Sequence, residues 1–422
     1  TFALDIFEVL VQASSIIRPA ANSFIQEYLA RLQGKKWAHL HPLLASVLDE
    51  TFGIAIYQEQ ITQIAMELAG FSAVDGDQLR KVITKKHREK KLADYRELFF
   101  SGGAERGVTE KVLEGVWEQI LSFAGYSFCK PHSASYALLS GKAAFMKAHH
   151  PAAFMAAVIS NQGGYYSAFA YISESRRLGL AILPPDINES EHRYTGLEKT
   201  LRVGLMQIDG LTRDCAERLR REREERGKFT SFQNFLGRVN AARSDTERLV
   251  KAGCFDSLEG KEKRPTLLWE LLHFQQQSTG LLFEQKTELP QAPAYDARMV
   301  LRQEVESLGF LVSQHPLTLY KEAWLRHKPI RASELIRFSG KWVTMVGWWI
   351  TTKTVEDRNG RPMEFISFED VTAIFDATFF PDVYARFCRK LSQRRPYLLK
   401  GVVEEEFGVA TLRVKWVDFL DS

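Results

Sequence analysis

Residues 128–139 read FCKPHSASYALL, and this stretch places a polar cluster at the start of an apolar helix. The run that follows it (GKAAFMKAHHPAAFMAAVIS) predicts the helix body. Free N–H groups and a partial positive charge make a helix amino terminus suitable for an anion, and Lys130, His132 and Ser133 would add donors there. The alternative is structural: Ser133 or Ser135 caps the helix, Lys130 is solvated, and His132 packs with its hydrogen bonds satisfied. Both interpretations are open on pattern alone.

Composition predicts a globular, soluble protein. The chain has 422 residues, of which 45% are apolar and 26% charged, and this length favours three or more domains. It has no run of 18 apolar residues and no signal-peptide pattern, and its four cysteines lie far apart, so we expect reduced thiols, a cytoplasmic location and no membrane partner. The net charge of +4 indicates no particular partner. Because the chain begins with Thr1 inside what reads as a fold, we expect it to be the carboxyl-terminal part of a longer protein.

The first part of the chain predicts helices. YQEQITQIAMELAG has the spacing of an amphipathic helix, with Gly70 as its expected end. A second helix is expected after Ser72 or Asp75 and through QLRKVITKKHREKKLADYRELFF. On it Lys81 and Lys85 share a face, beside Arg80. This basic run is either a solvated helix face or a phosphate clamp.

The segment LMQIDGLTRDCAERL predicts a helix-hairpin-helix, in which a tight glycine turn lets backbone N–H groups approach DNA phosphate without reading sequence. Residues 190–258 are predicted to be helical around it. The candidate DNA contacts are Ile208, Asp209, Gly210, Leu211 and Thr212.

In the last 80 or so residues the spacing of apolar residues changes from that of helices to that of strands. Polar and apolar residues alternate, and the Asn359–Gly360 pair predicts a hairpin turn. Three strands, a helix and two further strands fit a five-stranded OB barrel, a fold that often binds single strands through aromatic and basic residues. Leu412, Val414 and Trp416 are expected on one side of the last strand, and Arg413 and Lys415 on the other. The candidate DNA contacts here are Trp348, Trp349, Trp416, Arg413 and Lys415.

Taken together, these segments resemble one family, the C-family DNA polymerases typified by the bacterial DNA polymerase III alpha subunit. YQEQ, LRKVITKK, KPHSASYA, LPPDIN, LMQIDGL and LVSQHPL occur in the order that the family has and cover nearly the whole chain. The resemblance implies a multidomain α+β protein: helical fingers (residues 1–185), a helix-hairpin-helix region (186–258), a linker (259–335) and a carboxyl-terminal OB barrel (336–422). The replicative and error-prone branches stay unseparated.

The resemblance also implies a nucleotide site. Arg80 and Lys81 would contact the triphosphate of the incoming dNTP, and Arg is more frequent in the family at position 81. Lysine keeps the charge there but loses bidentate geometry. The remaining residues implied for this pocket are Lys85, Lys86, Lys130, His132, Ser133 and Tyr136.

Polymerisation of this type uses two Mg²⁺ ions held by carboxylates of the palm, which in the family precedes the segment where this chain starts. Asp49 and Glu50 are interpreted as surface residues. We therefore expect the chain to bind dNTP and primer–template DNA, as part of a DNA-directed DNA polymerase acting in replication or translesion synthesis, and to catalyse nothing alone.

The motif that would bind a partner protein matches the family pattern less closely than the motifs above. The family carries a sliding-clamp peptide between the hairpin region and the barrel, and Leu282 and Phe283 stand in the corresponding place, although Thr279 replaces its glutamine. The alternative is a linker that anchors on the protein, and other replisome subunits are further candidate partners. Two other functions stay open: a non-catalytic DNA-binding accessory protein with the same modules, and an RNA-binding OB protein of the synthetase type.

Overall fold

The computed structural model describes residues 2–17, 22–84, 89–122, 128–278, 292–391, 395–406 and 408–420. By backbone contacts the chain forms two compact units, residues 1–145 and 146–422. The domain boundaries expected near residues 185, 258 and 335 stay predictions. No helix in the described ranges is long and apolar enough to cross a membrane.

The first unit is helical. Its helices are α1 (Phe2–Ile16), α2 (Asn22–Leu32), α3 (Ala45–Leu48), α4 (Gln58–Ala69), α5 (Ala73–Thr84), α6 (Glu89–Glu105), α7 (Glu110–Leu121) and the start of α8 (Lys130–His149).

The prediction for α4 is confirmed. Ile61, Ile64 and Leu68 are fully buried in the centre of a core to which α5, α6 and α7 also contribute. The helix ends at Gly70, whose φ of 73° is the left-handed conformation that glycine adopts most easily.

The basic helix also begins as expected, since Ser72 Oγ accepts a hydrogen bond from Asp75 N at 3.1 Å at the start of α5. Its predicted continuation falls in two helices, α5 and α6. Residues 85–88, and with them Lys85 and Lys86, lie outside the described residues.

The second unit begins with helices, a small sheet and more helices. The helices are α9 (Pro151–Asn161), α10 (Ala168–Arg177), α11 (Arg213–Arg226), α12 (Phe232–Val239), α13 (Arg243–Lys251), α14 (Asp256–Glu259), α15 (Arg264–Ser278), α16 (Ala297–Leu308) and α17 (Lys321–Arg326).

The small sheet corrects the prediction that residues 190–258 are helical, because two of its three strands lie in that range. Strands β1 (Ala181–Leu183), β2 (Thr195–Leu197) and β3 (Thr200–Arg202) lie in the order β1-β3-β2. Strand β2 packs on α9 so closely that a Cβ at Gly196 would stand 2.0 Å from Ala152 O. Strands of three residues are too short to show a period in the sequence.

The residues expected to form a linker with short helices contain α15 and α16, of 15 and 12 residues. Leu267 and Leu271 of α15 and Leu308 of α16 are buried in the core of the second unit. The glutamine- and proline-rich stretch between them, residues 279–291, lies outside the described residues and includes Leu282 and Phe283.

The chain closes with the expected barrel. Its strands are β4 (Trp342–Glu356), β5 (Pro362–Glu369), β6 (Ile374–Phe379), β7 (Pro396–Glu406) and β8 (Val409–Phe419), in the closed order β4-β5-β6-β8-β7, with α18 (Pro381–Phe387) after β6. In the described part of the barrel β6 and β8 pair in parallel, and the other four strand pairs are antiparallel. The hairpin turn at Asn359–Gly360 joins β4 and β5, with Gly360 at φ 73°. This is the topology of an OB fold.

One assignment on β8 is wrong. Trp416 was expected on the same side as Leu412 and Val414, yet it is half-buried and Val417 occupies the barrel interior. The pairing of β7 with β8 shifts between Lys400 and Gly401, so β8 contains one extra residue there. A bulge of this kind reverses the side-chain alternation that follows it.

Candidate nucleotide and nucleic-acid interface

Gln60 organises the segment that precedes α4. Its side chain is 2% exposed. Gln60 Oε1 accepts hydrogen bonds from Ile56 N at 2.7 Å and Tyr57 N at 3.0 Å. Gln60 Nε2 donates to Val47 O and to Thr51 Oγ1, both at 3.0 Å. One buried amide thus satisfies four polar groups and fixes where α4 begins.

The start of α8 is attached to the start of α4. Gln58 N donates to Phe128 O at 3.2 Å, and Lys130 N donates to Glu59 Oε2 at 3.3 Å. Lys130 Nζ forms an ion pair with Glu50 Oε2 at 2.6 Å. The predicted polar cluster therefore lies beside the YQEQ segment, and Glu50, which the sequence left as a surface residue, is the partner of Lys130.

Arg80 reaches the same place from α5. Its Nη1 donates to Gln58 Oε1 at 2.9 Å, so Gln58 contacts both Arg80 and the start of α8. Asp77 Oδ1 accepts from Arg80 Nη2 at 2.8 Å, and Asp77 Oδ2 pairs with Lys81 Nζ at 2.7 Å. The hydrogen bonds from Lys81 and then from Arg80 lower the pKa of the Asp77 carboxyl.

The remaining polar residues of α8 divide into an exposed and a buried set. His132 is exposed, with its ring 5.1 Å from that of Phe128 in a stack and 4.7 Å from that of Tyr136. Ser133 is 2% exposed, and its Oγ accepts a hydrogen bond from Ser15 Oγ at 2.6 Å. The structure therefore places His132 and Tyr136 at the surface and uses Ser133 to hold α8 against α1.

The structure of the hairpin turn differs in part from the prediction. The expected helix before the turn is a single 3₁₀ turn, Leu205–Gln207. Gly210 adopts a φ of 69°, and a Cβ there would stand 2.6 Å from Arg248 Nε. Asp209, Gly210 and Thr212 are exposed, Leu211 is half-buried and Ile208 is buried.

Several amides expected to be free for phosphate have partners within the protein. Asp209 N donates to Ser307 O at 2.8 Å. Thr212 N donates to Asp245 Oδ1 at 3.0 Å, and Thr212 Oγ1 donates to Asp245 Oδ2 at 2.7 Å. Thr212 Oγ1 also accepts from Cys215 N and so caps α11. The prediction of free amides is therefore wrong for Asp209, Thr212 and Cys215, because the turn is fastened to α13 and α16.

A second hairpin, which the sequence analysis did not identify, joins α12 to α13. Asn240 provides its left-handed turn residue, with φ 46°. Arg218 Nη1 of α11 donates to Val239 O at 3.3 Å and to Asn240 O at 3.0 Å. An asparagine in place of glycine concealed this turn, although asparagine tolerates the left-handed conformation better than most residues.

The candidate residues of the barrel lie in different environments. Arg413 Nη1 pairs with Glu404 Oε1 at 3.0 Å, and its guanidinium carbon lies 4.8 Å from the Phe380 ring centre. Lys415 is exposed. Trp416 lies under Lys400 Nζ, which is 5.0 Å from its ring centre.

The two tryptophans on β4 are half-buried. Trp349 packs against the barrel core. Trp348 faces away from that core towards Phe169, with ring centres 6.0 Å apart. The structure thus separates Trp348 from Arg413 and Lys415, which lie on β8.

Comparison with known proteins finds similar sequences over most of the chain. Residues 3–107 match the family described as the bacterial DNA polymerase III alpha subunit finger domain, and residues 179–265 match the helix-hairpin-helix motif. The error-prone DNA polymerase of Symbiobacterium thermophilum is 30% identical over 99% of this chain and 44% of its own length. The DNA polymerase III alpha subunit of Thermus aquaticus is 32% identical over 94% of this chain and 34% of its own length. That of Neisseria meningitidis is 32% identical over 87% of this chain and 33% of its own length.

The chain spans less than half the length of each of these relatives. The matches nevertheless cover both the fingers and the hairpin region, in the order in which the structure has them. Over most of its length the chain is therefore similar to a part of the bacterial DNA polymerase III alpha subunits and error-prone DNA polymerases.

Proposed function

We propose that this chain forms the nucleotide- and DNA-handling part of a bacterial DNA-directed DNA polymerase. The observation that carries the proposal is the convergence of Arg80 and the start of α8 on Gln58. It brings two cationic segments about 50 residues apart in sequence to one surface of the first unit.

In this proposal Arg80 and Lys81 bind the triphosphate of the incoming dNTP. Asp77 holds both side chains in place before the nucleotide arrives, and the phosphates then compete with its carboxylate for the same donors. Arg80 suits this role because its guanidinium can form bidentate hydrogen bonds with phosphate oxygens. Tyr136 and His132 offer exposed rings beside the same surface.

Primer–template DNA is assigned to the second unit. The exposed turn with Gly210 and the barrel with Lys415 provide backbone and side-chain donors for phosphates. Contacts of this kind position a duplex without reading its sequence.

The Mg²⁺ ions that the family's reaction uses would provide two-metal stabilisation of the attacking and leaving oxygens. In the described ranges, no group of three or more His, Cys, Asp or Glu residues is placed to hold a metal ion. In this proposal the residues of the chain bind and position the nucleotide and the DNA.

The test measures dNTP binding and DNA binding separately on the 422-residue chain. We expect the double variant Arg80→Ala/Lys81→Ala to lose at least tenfold in affinity for a Mg²⁺–dNTP complex on primer–template, because two charge-assisted contacts are removed. Its affinity for the DNA itself should stay within about twofold. Lys36→Ala/Lys111→Ala removes two exposed charges from the same unit and is the matched control.

Equal loss of dNTP and DNA affinity would contradict the triphosphate assignment. DNA binding without any dNTP binding would favour the alternative, a non-catalytic DNA-binding protein. Primer extension by the chain alone would show a metal site among carboxylates that the proposal leaves out.

A further inference from the structure

A cavity of about 840 Å³ lies in the second unit and is lined in part by Trp348 and Phe169. It is bounded by β4 of the barrel, by α16, by the segment after α16 and by the start of α10. Its size is that of a site for a small organic group. Its lining includes Phe169, Arg298, Leu301, Val305, Tyr320 and Trp348.

One wall of the cavity is aromatic. The rings of Phe169 and Trp348 have centres 6.0 Å apart and planes inclined by 38°. Trp348 faces outward immediately before an irregularity in the β4–β5 pairing, between Trp349 and Thr351. Tyr320 adds a third ring to the lining. Such rings offer flat apolar faces on which a planar group can stack.

Buried ionic contacts hold the walls together. Glu369 of β5 is completely buried, and its two oxygens are 3.0 Å from Arg177 Nη1 and 3.0 Å from His315 Nε2. His315 Nδ1 accepts a hydrogen bond from Leu317 N, so Nε2 carries the ring proton that it donates to Glu369. These contacts join α10, the segment after α16 and the barrel.

The side chains of Arg176 and Glu304 bind the backbone of the segment that follows α16. Arg176 Nη2 donates to Val312 O at 2.9 Å, and Glu304 Oε2 accepts from Val312 N at 2.9 Å. These contacts hold the walls of the cavity in place, which reduces the free-energy cost of binding.

The rim of the cavity is cationic. Arg298 is exposed, and in the part of the chain that the structure describes no ion pair engages it. Arg302 pairs with Glu306 at 2.7 Å on the exposed side of α16, so these two charges compensate each other. Arg298 thus leaves an uncompensated positive charge beside an aromatic wall.

The cavity also adjoins the hairpin. Val305 and Glu306 of α16 line it, and they also line the space beside the turn that contains Gly210 and Leu211. The turn and the cavity therefore share two residues of α16, which places a strand held at the turn close to the cavity.

We propose that this cavity binds an unstacked base of single-stranded DNA, with the base against Phe169 and Trp348 and an adjacent phosphate at Arg298. Stacking on aromatic rings combined with a basic contact is the usual way in which proteins hold single strands without reading sequence. The uncompensated charge and the proximity of the hairpin favour this ligand over an apolar peptide. The inference rests on the proposed DNA binding of the second unit and identifies where an unpaired strand goes.

The test compares a blunt duplex with the same duplex carrying a 5′ thymidine overhang, by fluorescence anisotropy on the 422-residue chain. We expect Phe169→Leu and Trp348→Leu each to weaken binding of the overhang duplex by roughly tenfold and to leave the blunt duplex unchanged. Trp342→Leu is the matched control, because Trp342 is 59% exposed on the same strand and does not line the cavity.

Arg298→Gln provides a variant that does not alter the aromatic wall. It should lower affinity for the overhang severalfold and reduce the slope of log affinity against log salt by about one. Arg337→Gln, at an arginine whose side chain is 76% exposed, is its control. An overhang with 5-iododeoxyuridine should crosslink to Trp348 or Phe169 on irradiation.

Four results would overturn the inference: equal affinity for the two duplexes, overhang binding insensitive to all three variants, crosslinks confined to β5 and β6, or displacement of a cavity-bound dye by an apolar peptide but not by oligothymidylate. In each of these cases blunt-duplex binding can persist, and the proposed function then stands. Absence of binding to either duplex would contradict the proposed function as well.

Discussion

Arg177 and Glu369 are 192 positions apart in sequence and form an ion pair of 3.0 Å in which the carboxylate is completely buried. The pair joins α10 to the barrel, and His315 contacts the other oxygen of the Glu369 carboxylate. A buried charge with two such partners is favourable only while both remain.

Glu369→Gln should therefore destabilise the second unit. Loss of the carboxylate leaves Arg177 without its buried counter-ion, a change that typically costs about 3–5 kcal/mol. Urea unfolding followed by tryptophan fluorescence gives the free energy of unfolding. Glu306→Gln, at an exposed pair with Arg302, should change it by less than about 0.5 kcal/mol. Similar midpoints for the two variants would mean that Glu369 is not a structural anchor.

Gln60→Ala should destabilise the first unit by about 2–4 kcal/mol. It leaves Ile56 N, Tyr57 N, Val47 O and Thr51 Oγ1 without the partner that each has in the folded protein. Gln63→Ala on the exposed side of the same helix is the control and should be nearly neutral. Calorimetric unfolding measures both, and an unchanged transition for Gln60→Ala would contradict the assigned hydrogen bonds.

Asp77→Asn should strengthen binding of dNTP. The substitution removes a carboxylate that neutralises Arg80 and Lys81, and a nearby unit charge at the surface corresponds to roughly fivefold in affinity at low salt. Titration with a fluorescent dNTP at two salt concentrations provides the measurement, and the gain should shrink at the higher one. Asp94→Asn removes an exposed charge on α6 and serves as control. A weaker affinity in Asp77→Asn would show that the aspartate positions the cations more than it competes for them.

Glu364 in β5 should make the barrel less stable as pH rises. Burial raises the pKa of its carboxyl, partly opposed by the hydrogen bond from Thr352, so the folded state holds the proton more tightly than the unfolded chain. Its contribution is therefore fully present below the ordinary pKa near 4.5 and declines as pH rises through the raised value. Glu364→Gln should be more stable than wild type at pH 7 and equal to it at pH 4, by urea unfolding. The opposite order would refute the shift.

Asp245→Ala should loosen the hairpin turn. Asp245 is 1% exposed and accepts from both the amide and the hydroxyl of Thr212, so its removal takes away two hydrogen bonds that hold the turn to α13, at about 1–3 kcal/mol. Asp214→Ala, at a side chain that is 76% exposed, is the control. Blunt-duplex affinity should fall in Asp245→Ala alone if the turn binds DNA, and no change there would exclude the turn from the interface.

Sequence patterns predicted those parts of the fold in which one period extends over several turns or strands. Helix α4 and the barrel are examples, since the spacing of Ile61, Ile64 and Leu68 and the alternation in β8 up to Val414 both report a buried face. The three-residue strands β1 to β3 are too short for such a signal. The register change at Gly401 depends on the partner strand, which no local pattern contains.

The sequence named candidate site residues but not the contacts that position them. The positions of Arg80 and Lys130 came from motifs, whereas their partners Gln58 and Glu50 lie 22 and 80 positions away in sequence. Such contacts are set by tertiary packing. Ser133 is the opposite case. Its place in a motif at a helix start predicted a ligand-binding group, whereas the structure buries its side chain.

The glutamine side chains around α4 also determine how readily the three residues Ala55, Ile56 and Tyr57 exchange their amide protons with solvent. Ala55 N donates to Gln119 Oε1, and Ile56 N and Tyr57 N donate to Gln60 Oε1, so three successive amides donate to two side chains of neighbouring helices. Their exchange with deuterium should therefore follow the motion of α4 and α7 and not the local fluctuation of a loop. A stretch without regular secondary structure would then be among the slowest-exchanging backbone of the first unit.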